Sequence, residues 1–541
     1  MREALSTEAD ARARRGRRLR GALTQLPSAS ESVCAAASAL LLFSAFPDFG
    51  AWPLAWVALA PLLFSVARSA RPVQSFLSGW LAGTLFFCAS CYWLTFPMIH
   101  YAGIPAPLAY ALLLVPAAAG GFFPALAVFC LARVCGRWGA AALFLAPALW
   151  VACEWARLGV IGQLWNAVGY SQAFQPALIQ SARFGGVYAV SFLVVAFNAA
   201  VAYALLKRSV RGALVSAAAA ACVALAAYGA ALTRAPGAER PPSSFVVAVQ
   251  PNVIPDFGRS EDEYDALRRR HFELSDEGLR ALGAVNVESP RVVVWPESPM
   301  NFSLERDRRL REELKAYVVG RGVSLLFNSL EPAAGGGGYN AAVLLNEKGL
   351  PAAQYDKIRL MPFGEYVPLP RWLPGAGMLG GVVGDFTPGE HYTLIPLGSA
   401  EGSPRAGAFI CLESAYPDIA RRLTLEGADV LIEMTNDAYQ GDTSVLRQHL
   451  SNAVFRAVET GRPLLRVTNT GVSARIDERG RVSDETGRFV EAVRAWPVAR
   501  SGGGRTFYAE RGDAFAAACS LLGLAAVALT FRKKKRSRQH F

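Results

Sequence analysis

Apolar residues gather into eight runs, near 33–46, 50–68, 74–97, 107–134, 138–157, 188–206, 210–231 and 513–531. A helix of about 20 such residues crosses a hydrocarbon layer of roughly 30 Å, so the runs predict eight membrane spans, the first being the shortest. Between the seventh and eighth runs the pattern changes. From residue 243 to about 498, β-type runs at 245–250, 291–295, 323–327, 342–345, 406–410, 430–434 and 464–468 alternate with helical stretches at 261–282, 304–319, 416–425 and 443–460. Several of the β runs are apolar throughout, as strands buried on both faces are. The alternation predicts an α/β domain large enough for one core.

Of 541 residues, 52% are hydrophobic, which excludes an ordinary soluble protein. Charge in the connections orients the spans. The N-terminal arm carries Arg12, Arg14, Arg15, Arg17, Arg18 and Arg20. Every second connection after it is basic: Arg68 and Arg71, then Arg133 and Arg137, then Lys207, Arg208 and Arg211, and finally residues 532–538. The turns near Asp48 and at 98–106 have no Lys or Arg, and the stretch 159–187 has only Arg183, with Arg157 at its rim. Basic loops stay in the cytoplasm, so both termini are predicted cytoplasmic and the polar block is predicted outside the cytoplasmic membrane. The first run has no small-residue cleavage site and reads as a retained span rather than a signal peptide. The net charge of +12 is then explained by the cytoplasmic arms, with no nucleic-acid partner. Glu154 is the one carboxylate within a span, too few ionisable groups for a transporter or proton pump. Trp165, Tyr170 and Phe174, in the outer loop after the fifth span, read as an aromatic lip at the membrane interface.

Three residues at strand ends carry candidate chemistry. The run Val292-Val293-Val294 enters Trp295-Pro296-Glu297, where Pro296 cannot continue the hydrogen-bond ladder and holds Glu297 at the strand exit. Lys357 stands in Tyr355-Asp356-Lys357, between a β-like run and the turn Pro362-Phe363-Gly364-Glu365-Tyr366-Val367-Pro368. Cys411, in Ile410-Cys411-Leu412-Glu413, is the one of nine cysteines that lies in the polar block, so it has no disulfide partner there. It precedes the helical stretch 416–425, whose N-terminal dipole is expected to favour a thiolate. Taken singly, these are a buried cysteine, a loop glutamate and a surface lysine. Together they have a chemical logic: a carboxylate takes the thiol proton, the thiolate forms an acyl bond, and an ammonium with the Leu412 N–H stabilises the oxyanion. With five histidines and no HExxH, paired CxxC, GxSxG or Walker A pattern, no metal or other cofactor is expected.

These three segments resemble the Glu-Lys-Cys motifs of the nitrilase (carbon-nitrogen hydrolase) superfamily. Seven spans, such a domain and one final span together resemble the apolipoprotein N-acyltransferases of Gram-negative bacteria, over nearly the whole chain except the basic tails. Asn436-Asp437-Ala438-Tyr439, His449, Arg456-Ala457-Val458-Glu459 and Gly461-Arg462-Pro463 are similar to further family segments. Leu412 departs from the family, which often has an aromatic residue there. The resemblance implies an αββα sandwich with Cys411 as nucleophile, Glu297 as general base and Lys357 as oxyanion stabiliser. Glu365 and Glu413 would be supporting carboxylates that position Lys357 or the attacking amine. It implies ping-pong transfer of an acyl chain from a membrane phospholipid, phosphatidylethanolamine being typical, to the α-amine of a diacylglyceryl-cysteine on an apolipoprotein.

The domain division that follows is a basic arm at 1–32, a seven-helix membrane domain at 33–231, a periplasmic nitrilase-like domain at 243–498, a linker at 499–512, a last span at 513–531 and a basic tail at 532–541. The chemistry needs no more than a monomer. Gly375 to Gly384 reads as a glycine-rich lid or an ordinary loop. The alternative reading is a membrane-tethered nitrilase-type amidohydrolase, for which a single anchor would suffice.

Overall fold

A computed structural model describes residues 26–208, 212, 214, 218 and 241–532, apart from 257, 284–288, 298–299, 301–302, 334–335, 368–383 and 503. The predicted seventh span at 210–231, the arm up to residue 25, the tail from 533 and most of the 375–384 loop lie outside these described residues.

In the N-terminal half, Trp52–Ser69, Pro72–Ser90, Ala106–Ile161 and Ala182–Lys207 are long and apolar enough to cross a membrane, and Ala29–Ala45 and Ala514–Leu529 are shorter apolar helices. The 56-residue stretch contains two helices joined by a 3-10 segment. The helices are numbered α1 (Ala29–Ala45), α2 (Trp52–Ser69), α3 (Pro72–Ser90), α4 (Ala106–Trp138), α5 (Ala146–Ile161) and α6 (Ala182–Lys207). Small residues let α3 and α4 touch: a Cβ on Gly83 would stand 2.7 Å from the Gly121 Cα. Helix α2 is broken near Leu59, and Asn198 of α6 satisfies the break. Its Oδ1 accepts the Leu59 and Ala60 N–H groups at 2.7 and 2.9 Å, and its Nδ2 donates to the Ala55 carbonyl at 2.8 Å.

The polar block forms two six-stranded sheets, β12-β1-β2-β3-β4-β5 and β11-β10-β9-β8-β7-β6. The first holds β1 (Ser244–Gln250), β2 (Arg291–Val294), β3 (Ser324–Pro332), β4 (Gly338–Leu345), β5 (Pro351–Asp356) and β12 (Ala492–Val498). The second holds β6 (Leu394–Pro396), β7 (Arg405–Ile410), β8 (Val430–Thr435), β9 (Leu464–Thr468), β10 (Ala474–Ile476) and β11 (Val482–Ser483). Each sheet has three parallel strands at its centre, β1-β2-β3 and β7-β8-β9, flanked by antiparallel ones. Successive side chains point to opposite faces, so each central strand feeds two cores. Val292 and Val294 pack toward Phe409 and Leu431 of the other sheet, whereas Val293 joins Leu310, Leu314 and Val318 of the helix α8 (Arg308–Arg321). Helices α7 (Glu261–Ala281) and α8 cover the first sheet; α9 (Pro417–Glu426) and α10 (Val445–Thr460) cover the second. The predicted αββα sandwich is the observed architecture. All residues of α10 but Arg447 are buried, because one face lies on the sheet and the other on α6 and the loop before it. A short helix α11 (Phe507–Arg511) then leads into α12 (Ala514–Leu529).

Candidate active site

Glu297, Lys357 and Cys411 follow the C-terminal ends of β2, β5 and β7, strands of two different sheets that meet at one end of the sandwich. Lys357 Nζ lies 3.0 Å from Glu297 Oε1 and 2.9 Å from Glu365 Oε1. Its side chain is 1% exposed, so the ammonium is desolvated and depends on those two carboxylates. Asn340 of β4 ties the cluster together. Its Nδ2 donates to Glu297 Oε1 at 3.0 Å and Glu365 Oε1 at 2.6 Å, and its carbonyl accepts the Lys357 N–H at 2.8 Å. Glu365 Oε2 accepts the Met361 N–H at 2.7 Å, which closes the Pro362–Tyr366 turn onto the lysine. Glu297 Oε2 accepts the Asn436 N–H at 3.2 Å, from the loop after β8, and so bridges the two sheets. Burial alone would lower the Lys357 pKa; Glu297 and Glu365 outweigh it and hold the ammonium well above the usual lysine value.

Cys411 opens a five-residue 3-10 turn, Cys411–Ala415, with φ at +53°, a left-handed conformation costly for any residue with a Cβ. Both flanks of that residue are pinned. Before it, Glu413 accepts the Ile410 N–H at 2.8 Å; after it, His449 Nε2 stands 3.0 Å from the Cys411 carbonyl oxygen. Glu413 also accepts the Ile358 and Arg359 N–H groups at 2.8 and 3.0 Å and the Tyr355 hydroxyl at 2.9 Å. One buried carboxylate thus fastens the segment after Lys357 to the turn that carries Cys411. Burial raises its pKa to about 7 against the pull of those bonds. Glu365 touches the ammonium directly, whereas Glu413 braces the backbone around it. Leu412, half-buried, is the second residue of the turn.

The expected dipole-favoured thiolate is corrected by the geometry. The 3-10 turn separates Cys411 from α9, and the cysteine is half-buried. Burial first, and the Glu297 charge second, push its pKa well above the usual thiol value, with Lys357 pulling the other way. That environment favours the neutral thiol over the thiolate.

Beneath the turn lies a charged cluster whose members appear in the sequence only as family-like segments or not at all. His449 Nδ1 lies 2.7 Å from Asp437 Oδ1, and its Nε2 lies 3.1 Å from Glu433 Oε1. Arg466 pairs with Glu433 at 2.5 Å and with Asp437 at 2.7 Å. Burial and Arg466 oppose protonation of His449, yet Asp437 and Glu433 raise its pKa to about 9; Asp437 sits at about 2. His449 is therefore an imidazolium donating through both nitrogens. A signal for this cluster was present: Glu433 and Arg466 are lone charges in otherwise apolar strands, and they are register partners.

The residue before His449, Gln448, joins α10 to the membrane half. Its Oε1 accepts from Trp93 Nε1 at 3.1 Å and Trp165 Nε1 at 2.9 Å, and its Nε2 donates to the Ser90 carbonyl at 2.9 Å. The expected aromatic lip is thereby corrected. Trp165 and Tyr170 are buried, Trp165 against Gln448 and His449, Tyr170 accepting from Arg456 at 3.2 Å; Phe174 lies under Arg447. Those rings mount the sandwich on the helices instead of facing lipid. Glu154 is likewise packed, accepting from Trp150 Nε1 at 3.0 Å and the Val168 N–H at 2.9 Å.

A two-sheet sandwich with a carboxylate, a lysine and a cysteine at three strand exits defines a carbon–nitrogen hydrolase domain, here set on a bundle of apolar helices. Residues 292–502 match the family model "Carbon-nitrogen hydrolase", and residues 38–200 match "Apolipoprotein N-acyltransferase N-terminal domain". The chain is 32% identical to an apolipoprotein N-acyltransferase of Geobacter metallireducens, over 92% of this chain and 94% of that protein. It is also 32% identical to one of Azotobacter vinelandii, over 86% and 91%. A crystal structure of an amidase from Nesterenkonia sp. matches 52% of this chain and 98% of its own, at 17% identity and TM-score 0.37. The chain belongs to the apolipoprotein N-acyltransferase family.

Proposed function

We propose that this chain transfers a fatty acyl group from a phospholipid to the free α-amine of the diacylglyceryl-cysteine of an apolipoprotein, as the names of its relatives suggest. The reaction runs in two halves through Cys411. Glu297 takes the thiol proton, and the thiolate attacks the ester carbonyl of the donor, phosphatidylethanolamine being the expected one. The oxyanion of the tetrahedral intermediate faces the Lys357 ammonium and the Leu412 N–H. Collapse expels the lysophospholipid alkoxide, which takes the proton back from Glu297, and leaves a thioester. The amine then attacks the thioester; Glu297 accepts its proton and returns it to the departing thiolate. Glu365 fixes Lys357, and Glu413 fixes the turn.

The observation that carries this reading is the buried Lys357, shared by Glu297 and Glu365 beside the strained Cys411 turn. A thioester must meet an amine and not water, so a site mounted on membrane helices suits acyl transfer better than hydrolysis. In the proposed arrangement eight spans hold the sandwich outside the bacterial inner membrane, with both termini in the cytoplasm, and one copy of the chain suffices.

The test is peptide mass spectrometry after incubation with phosphatidylethanolamine. Wild type is expected to gain a fatty-acyl mass on Cys411 that neutral hydroxylamine removes, and Cys411→Ala is expected to gain none. A diacylated lipopeptide should discharge the adduct onto its own amine. Discharge to water alone would instead make the chain an amidohydrolase-type enzyme, and absence of any adduct would refute the acyl-enzyme.

A further inference from the structure

A cleft of about 450 Å³ opens between the outer end of α5, the start of α9 and the turn joining α11 to α12. Glu297, Lys357 and Cys411 do not line it. Its walls carry four guanidinium groups, Arg359, Arg421, Arg422 and Arg511, against two carboxylates, Asp418 and Asp513. Both carboxylates are already engaged. Asp418 pairs with Arg359 at 3.2 Å. Asp513 accepts from Trp155 Nε1 at 3.0 Å and from the Tyr508 hydroxyl at 3.1 Å. Positive charge is therefore left over.

Arg421, Arg422 and Arg511 have no ion pair among the described residues; Arg422 lies over the Tyr392 ring, which leaves Arg421 and Arg511 to carry the excess. Arg421 is held in place by the backbone. A Cβ on Gly512, whose φ is +57°, would stand 2.9 Å from Arg421 Nε, so only a glycine lets the guanidinium lie there. Arg421 Nε is buried and has no hydrogen-bond partner. A buried, rigid donor without an acceptor implies an absent acceptor, and a guanidinium fork matches the oxygens of a phosphate.

The surroundings say which phosphate. Leu158 and Gly159 of α5 form one wall, and the adjoining outer surfaces of α5 and α12 are apolar, with Val160 77% and Leu521 70% exposed. The cleft thus lies where apolar helix ends give way to the polar domain, at headgroup level for a bilayer around these helices. We infer that it is a lipid-headgroup site, in which the phosphodiester of a glycerophospholipid seats between Arg421 and Arg511 while its chains lie along α5 and α12. The inference rests on α5 and α12 lying in a membrane, not on acyl transfer at Cys411, so either can fail alone.

Native mass spectrometry of the full-length Cys411→Ala protein in mild detergent tests it without turnover. The probes are phosphatidylglycerol, phosphatidylethanolamine and a diacylglycerol with the same chains. The protein with its arginines intact is expected to keep one more phospholipid than the Arg421→Gln/Arg511→Gln variant, and diacylglycerol is expected not to replace it. Equal retention by the variant, or equal binding of diacylglycerol, would overturn the site. Release of the extra lipid by millimolar inorganic phosphate would assign the cleft to a soluble oxyanion and overturn the lipid reading. A phospholipid with a photoreactive headgroup provides a second measurement on the unmutated chain. Crosslinks at 416–422 or 505–513 are expected, and crosslinks confined to other segments would refute the proposal.

Discussion

Lys357 is held by two carboxylates and balances one, so the cluster is an anion built around a cation. Removing the cation would leave Glu297 and Glu365 sharing only Asn340, with no counter-ion between them. On the proposed roles, Lys357→Met should remove the oxyanion donor and also disturb the placement of Glu297, the proposed base. Turnover of a fluorescent lipopeptide is expected to fall at least about 10²-fold, with a stability loss of about 3 kcal/mol in denaturant titrations. Glu365→Gln keeps the Glu297–Lys357 pair and should lose less of both. Equal losses in the two variants would show that charge balance is not what matters. Glu297 and Cys411 are legible in the sequence because a charge and a thiol stand at the ends of apolar runs, whereas Lys357, after Gln354-Tyr355-Asp356, is legible only through the family resemblance. Asn340 is not, since an asparagine in a strand looks like many others. Nor is the protonation of Cys411, which is set by burial that appears only when both sheets close over it.

The turn that carries Cys411 and the helix α10 act as one element, because His449 reaches from the helix to the Cys411 carbonyl. The His449 pKa of about 9 lies above its unfolded value of roughly 6.5, so folding binds the proton more tightly. That stabilisation, on the order of 3 kcal/mol, is fully present below pH 6.5 and is lost as pH rises through 9. Unfolding free energy measured at pH 6.5 and 9.5 should fall across this window in wild type and stay flatter in His449→Gln. A steeper fall in the variant would reverse the assignment. One residue earlier, Gln448→Leu leaves Trp93 and Trp165 without their acceptor, and should destabilise by about 2–4 kcal/mol. Its Tm in detergent is the check. The strands at the sheet centres were predictable from their apolar runs. The outer strands β6, β10, β11 and β12 were not: they are short or half-exposed, and β12 finds its partner β1 from the far end of the domain. The Trp165 loop misled for a related reason. Aromatic residues beside a span suit a lipid interface as well as a protein one, and only the docked α10 decides between them.

The two halves of the molecule together fix a polarity. Ser90 at the end of α3, and Asp513 just before α12, lie against the sandwich or its mount, as does Val187 early in α6, whose N–H donates to Glu459 of α10 at 2.8 Å. Arg133 of α4 reaches Thr530 at the other end of α12, at 3.1 Å. The basic residues Arg68, Arg71, Arg133, Arg137, Lys207 and Arg532 thus gather on the face remote from the sandwich. From Val187 to Lys207, α6 runs roughly 30 Å away from the sandwich, yet the chain begins β1 at Ser244 back on the near side. The apolar run 210–231 is, by its length, the segment proposed to span in the return direction. In the proposed arrangement, the positive-inside rule makes the remote face cytoplasmic and the sandwich external. Reporter fusions check this directly. Green fluorescent protein joined after Phe541 should fluoresce and alkaline phosphatase there should stay inactive, while protease added to spheroplasts should cut within 241–505. An active phosphatase at the C-terminus, or protection of that segment from protease, would place the sandwich in the cytoplasm. It would then be out of reach of lipoproteins on the outer face, and the proposed reaction would fail with it.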